Sequence, residues 1–188
     1  MASRKPAAGA LSNYLLQIDL IGSENPSISR TLSVPPSTTL NTLHSAIQVA
    51  FGWGNVHPHR FGIFYKRGTH YRTSTVCTLS QVFENAAALK EKRIEYLYDF
   101  HDNWVHHITL IGRANILTST ITCLSGEGGP AAEDCGGCTG WEKIKKAYRE
   151  HHCHGCPCPD RKAHNKMRWH EKYCTNGRRG GAGSERVG

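Results

Sequence analysis

Tyr96–Ile111 reads YLYDFHDNWVHHITLI, two short apolar runs around a polar centre, His101-Asp102-Asn103. The pattern predicts a β-hairpin: strand Ile94–Phe100, a tight turn, then strand Trp104–Ile111. Asp102 and Asn103 suit the turn, because both side chains bond local backbone and both tolerate positive φ. Side chains alternate faces along a strand. An even loop of two or four residues keeps Asp99, Trp104 and His106 on one face and puts Tyr96, Tyr98, Phe100, Val105 and His107 on the other. A carboxylate, an indole and an imidazole then lie side by side. A carboxylate near an imidazole raises the imidazole pKa and fixes its tautomer, which serves catalysis or metal binding.

Upstream of the hairpin, Tyr14–Ile21 and Ile28–Val34 alternate as strands, joined by a turn at Gly22–Pro26. Pro35-Pro36-Ser37-Thr38 breaks the second strand and offers a helix N-cap. Leu40, Leu43, His44, Ile47, Ala50 and Phe51 have the spacing of an amphipathic helix, which Gly52 and Gly54 end. His57–Tyr65 predicts a third strand with His57, His59, Phe61 and Ile63 on one face, and His70–Arg72 a short fourth. Leu79–Glu91 predicts a second helix with Val82, Phe83, Ala86 and Leu89 as its stripe. Downstream come a strand at Thr120–Leu124, a Gly-rich loop over Glu127–Gly140 and a helix at Trp141–His151. The order ββαβ(β)αβββα predicts an α+β fold: a mixed, largely antiparallel sheet with helices packed on one face. The opening ββα is also how a β-grasp begins.

The chain has 188 residues and a formal charge of +8, unevenly placed. Residues 1–141 hold 11 Lys/Arg and 10 Asp/Glu, whereas residues 142–188 hold 12 and 5. A near-neutral body thus carries a basic C-terminal part, suited to nucleic acid or another acidic partner. No apolar run approaches the ~20 residues that span a bilayer. MASRKPAAGA lacks the apolar core of a secretory signal, which points to an intracellular protein, cytoplasmic or nuclear. The expected organisation is a disordered N-terminus (1–12), a body (13–152), a Cys/His-rich segment (153–175) and a disordered basic tail (176–188).

Taken together, several stretches resemble a known family. They are YLLQIDLIG from Tyr14, LHSAIQVAFGW (Leu43–Trp53), His57-x-His59-x-Phe61, YDFHDNWVH (Tyr98–His106), Cys123-Leu124-x-Gly126-Glu127, Glu133-Asp134-Cys135-Gly136-Gly137 and Gly140-Trp141. Their order and spacing resemble the Ri-plasmid ORF-3-like family, found also as a passenger protein of bacterial insertion elements under the name TnpR. The likeness covers roughly residues 14–150. It implies an α+β fold and a link to mobile elements, and supplies no activity. The chain lacks the nucleophilic Ser with clustered Arg of a serine recombinase. His101 stands where the family tends to have Gly. Cys138 and the segment from Cys153 on depart from the family pattern.

Two constellations carry possible chemistry. One is the body's polar set, His44, His57, His59, Asp99, Asp102 and His106. Two imidazoles two residues apart on a strand stand about 7 Å apart on one face, a basis for catalytic metal sites once a third ligand joins them. The bland reading, half-buried histidines bonding backbone and carboxylates, is the better supported, above all for His44. The other is the cysteine set. Cys135-x2-Cys138 and Cys153-x2-Cys156 have the spacing of two zinc knuckles, and Cys158, His164, His170 and Cys174 add further donors. One structural Zn²⁺ site takes all four knuckle cysteines. The alternative takes Cys153, Cys156 (or Cys158), His170 and Cys174. A helix of about 16 Å between the knuckles favours the latter. Cys123 and Cys135 are read as packed thiols, Trp53 and Trp104 as core anchors.

Three functional classes follow. The leading one is a mobile-element-derived binding module that contacts nucleic acid or a protein through a basic, zinc-bearing C-terminus (residues 142–188). The alternatives are a metal-dependent hydrolase or nuclease using the body His/Asp set, and a scaffold without catalysis.

Overall fold

The strands alternate inward apolar and outward polar residues, so they need one covered face only, and an antiparallel sheet supplies that. A computed structural model describes residues 12–65, 68–72, 77–84, 89–115 and 117–151. The elements are β1 (Tyr14–Leu20), β2 (Ile28–Val34), α1 (Leu40–Phe51), β3 (His59–Tyr65), β4 (Gly68–Arg72), α2 (Leu79–Phe83), β5 (Leu89–Tyr98), β6 (Trp104–Arg113), β7 (Thr122–Glu127) and α3 (Gly137–His151). The fold is α+β. One seven-stranded sheet runs in the order β4-β3-β5-β6-β1-β2-β7. Every one of these pairings is antiparallel, so the expected mixed sheet and β-grasp continuation give way to a uniform ladder.

The inner face is a continuous apolar layer. Tyr14, Leu16, Ile18 and Leu20 of β1 share it with Trp104, His106 and Ile108 of the neighbouring β6 and with Ile94, Tyr96 and Tyr98 of β5 beyond, all buried. Burying such side chains stabilises the fold by about 1.5–3 kcal/mol each. α1 covers this face with Leu40, Leu43, His44, Ile47 and Phe51. Its N-cap is Thr39, just past the Pro35–Thr38 stretch expected to supply one, and the Thr39 hydroxyl accepts the Thr42 N–H. Gly52 closes it with φ 74°, a left-handed conformation that glycine adopts at little cost. Phe83 of α2 packs edge-on against Tyr14.

Three local expectations fail. α2 ends at Phe83 despite the apolar stripe running to Leu89, because Leu89 pairs with Tyr65 of β3 and the ladder overrides helix propensity there. The hairpin pairs Tyr98 with Trp104 and Tyr96 with His106, leaving residues 99–103 as an odd-numbered loop. Trp104 and His106 therefore share the inner face with Tyr96 and Tyr98, and Asp99 leaves the ladder altogether. The loop is set by Asp99 and Asn103 at φ 57° and 56°, not by His101. Finally, His57 precedes β3, so the two histidines do not share a strand face.

The turns β1–β2 and β5–β6 lie at one end of the sheet, since Leu20 pairs with His106. α3 crosses that end, starting at Gly137, earlier than expected. Its Trp141 is buried, Cys138 packs on Gly22, and the Lys145 ammonium bonds the Glu24 carbonyl. No helix of the described residues is long and apolar enough to cross a membrane. The expected disordered N-terminus (1–12) lies outside the described residues except for Ser12, and the Cys/His-rich segment and the basic tail lie outside them entirely.

Candidate functional site

The polar residues of the hairpin turn face the loop that leads into α3, and that loop is pinned at three points. The Trp53 indole N–H donates to the Ala131 carbonyl at 3.0 Å. The Tyr98 hydroxyl donates to Glu133 Oε1 at 2.6 Å, while Glu133 Oε2 accepts the Gly54 N–H at 2.9 Å. Asp102 Oδ2 accepts the N–H groups of Cys135 and Gly136, both at 3.0 Å. Burial alone would raise the Asp102 pKa, but the N–H groups of Gly137, Gly136 and Cys135 and the His101 ring outweigh it and hold the carboxyl below its usual range. Burial, then the bond to Glu133, pushes the Tyr98 hydroxyl pKa up, so it stays a donor.

Asp134 sits between two of these anchors, at φ 53°, and is thereby fixed opposite His57. His57 Nε2 lies 3.2 Å from Asp134 Oδ1 and 3.7 Å from Asp99 Oδ2. The three donor atoms all lie within 4.8 Å of one another. The Asp99 side chain is only 5% exposed, whereas Asp134 is 72% exposed and opens the cluster to solvent. Asp99 Oδ1 accepts the His101 and Asp102 N–H groups, and Oδ2 is left facing His57. His57 Nε2 is buried and hydrogen-bonds nothing among the described residues.

A second histidine cluster lies under α1. His44 and His59 stack with ring centroids 3.5 Å apart and planes 7° from parallel. The Gln48 amide donates to the Tyr96 hydroxyl, the Tyr96 O–H donates to His44 Nδ1, and His44 Nε2–H donates to Asn55 Oδ1. This circuit requires a neutral His44. Burial lowers both pKa values, that of His59 to about 4 with the His44 charge as second cause.

These elements match a known family. The family model described as plasmid pRiA4b ORF-3-like protein matches residues 12–175. The chain belongs to the plasmid pRiA4b ORF-3-like family. It is 30% identical over 135 residues to the uncharacterized protein y4hQ of Sinorhizobium fredii (strain NBRC 101917 / NGR234), covering 66% of this chain and 68% of that one. It resembles the crystal structure of MM3350, a protein of unknown function from Methanosarcina mazei Go1, with a TM-score of 0.66 and 22% identity over 83% of this chain and 88% of that one. That likeness shows the shared fold. The family match extends past the 14–150 span of the quoted motifs and takes in the Cys153–Cys174 segment.

Within this family fold the expected His/Asp set separates. His57 and Asp99 join Asp134. Asp102 anchors the start of α3. His59 stacks on His44, a core histidine with both ring nitrogens engaged. His106 is fully buried against Phe51 and Trp53, its Nδ1 close to the Trp104 and Tyr96 carbonyls. Burial drives its pKa down to about 3. Of the expected set, His57 and Asp99 thus meet each other, while Asp102, His59 and His106 are engaged with other partners. Trp53 and Trp104 are core anchors as expected.

The cysteines also divide. Cys123 is exposed, not packed. Cys135 Sγ bonds the Gly137 carbonyl and Cys138 Sγ the Ile21 carbonyl, and burial pushes the Cys138 thiol up to about 11. α3 rises about 20 Å between Cys138 and His151, and the other two cysteines of the four-knuckle arrangement lie beyond it. Cys153, Cys156, Cys158, His170 and Cys174 lie outside the described residues. Asp134 is the site residue that sequence reading missed. It stands in the Glu133–Gly137 motif, which carries family likeness and a cysteine but no local signal that Asp134 faces His57.

Proposed function

We propose that this protein is a binding module of a mobile-element lineage that engages nucleic acid through α3 and the basic segment after it. The carrying observation is charge placement: residues 142–188 hold 12 Lys/Arg against 5 Asp/Glu, while the rest is nearly balanced. Lys143, Lys146 and Arg149 recur every three residues on the exposed side of α3, a stripe leading into that segment. Beside it runs an apolar groove lined by Pro26, the half-buried Tyr148 and Arg149, with the buried Trp141 at its base. Cationic side chains next to aromatic surface suit phosphate contact and base stacking. A Zn²⁺ held by Cys153, Cys156 or Cys158, His170 and Cys174 would give the segment a fixed shape.

Filter binding of the full chain to DNA and RNA across a salt series tests the reading. Each phosphate contact adds about 0.7–0.9 to the slope of log affinity against log salt. A steep slope is the expected outcome. Absent binding, or affinity indifferent to salt, points instead to a protein partner or a plain scaffold.

A further inference from the structure

We propose that His57, Asp99 and Asp134 form a binding site for a divalent first-row transition ion, independent of the cysteines and of the C-terminal segment. Donors around such an ion at about 2.0–2.2 Å stand roughly 3.0–3.5 Å apart. The His57–Asp134 and His57–Asp99 separations, 3.2 and 3.7 Å, need only adjustments of tenths of an ångström. One imidazole with two carboxylates suits Mn²⁺, Fe²⁺ or Zn²⁺ better than Ca²⁺ or Mg²⁺, which take oxygen donors.

Two further observations point to a ligand. His57 Nε2 is buried, approaches two carboxylates and hydrogen-bonds neither. An ion pair alone would align the ring N–H on one of them. Asp99 Oδ2, on a side chain 95% removed from solvent, likewise has His57 as its close polar neighbour while Oδ1 is doubly bonded to backbone. Buried polar atoms rarely go unmet, and a cation here gives His57 Nε2 a partner. The site is also held in advance. Asp99 is locked by the turn it caps, and Asp134 is fixed between Glu133 and Cys135, both tied to the hairpin. Asp134 lies at the surface, so the ion would keep open positions for water or a further ligand.

The experiment is Mn²⁺ titration of the full chain followed by electron paramagnetic resonance, where bound ion leaves the free-ion signal. Mn²⁺ is chosen because thiolate sites prefer Zn²⁺. The comparison uses Asp134→Asn, His57→Gln and a Cys153→Ser/Cys156→Ser variant. Asn tolerates the positive φ of Asp134, and circular dichroism confirms the fold of each. The expected result is one Mn²⁺ per chain, weakened about tenfold or more in the first two variants and unchanged in the third. No binding at millimolar Mn²⁺ overturns the proposal. So does binding that survives His57→Gln, or that is lost with the cysteines.

Discussion

Asp99 and Asp102 share one turn and one side-chain type, yet they serve different partners. Asp99 caps its own turn and faces His57, while Asp102 receives the backbone of residues more than thirty positions later. The turn-forming role of Asp102 was legible, because it depends on local backbone chemistry, whereas Asp99 read as a strand residue and its place in the turn follows from the odd loop. Their division was not legible, because it depends on where the Glu133–Gly137 loop lands. The same holds for His106: its residue type suggested a functional imidazole, but an odd loop turned it into the core. That burial has a measurable consequence. The folded pKa, about 3, lies below the ordinary value of ~6.5. Its contribution is therefore fully present above pH 6.5 and is lost as pH falls toward 3, because the unfolded chain takes up a proton that the folded chain refuses. Guanidinium unfolding at pH 7.5 and 5.0 should differ by about 2 kcal/mol from His106 alone, with His59 adding in the same direction. Equal stability at the two pH values would show that His106 is not held neutral.

At the scale of elements, long periodic runs were readable and junctions were not. β1, β2 and α1 appear at the positions their alternation and spacing predict, since each buries a stripe that the sequence displays directly. α2 did not, because its apolar stripe served equally as the start of a strand, and pairing with β3 decided the matter. The junction between the hairpin turn and α3 is the least readable and the most constrained. Gly137 opens α3 at φ 66°, and a Cβ there would lie 2.1 Å from the Asp102 carbonyl oxygen. Gly137→Ala must therefore move the loop away from the turn, adding a steric conflict to the ~1 kcal/mol that the backbone conformation costs. We expect a loss of about 2 kcal/mol or more, seen as a fall in thermal midpoint of roughly 5 °C. The same displacement withdraws Asp134 from His57. If Gly137→Ala melts like the unmodified chain, the junction is looser than its contacts indicate.

At the scale of the whole molecule, structure and charge are divided along the chain. The buried apolar cluster described runs from Tyr14 to Trp141, and the sheet that carries it is complete by Glu127. Residues 152–188 instead hold 8 Lys/Arg and 3 Asp/Glu, more than half of the net charge of +8. A chain ending at residue 151 should therefore keep its sheet content and melt within a few degrees of the full protein, because none of the described strands and no part of that cluster is removed. Under the proposed nucleic-acid reading, affinity should fall in this shortened chain, and the salt slope should shrink by about 0.7–0.9 for each phosphate contact removed. The two readouts bear on different claims. A cooperative melt with weakened, flatter binding assigns folding to the body and contact to the C-terminal segment. Loss of the cooperative melt would mean that this segment completes the fold, in line with a family match that runs to residue 175. Unchanged binding would move the contact surface back onto α3, where Lys143, Lys146 and Arg149 remain.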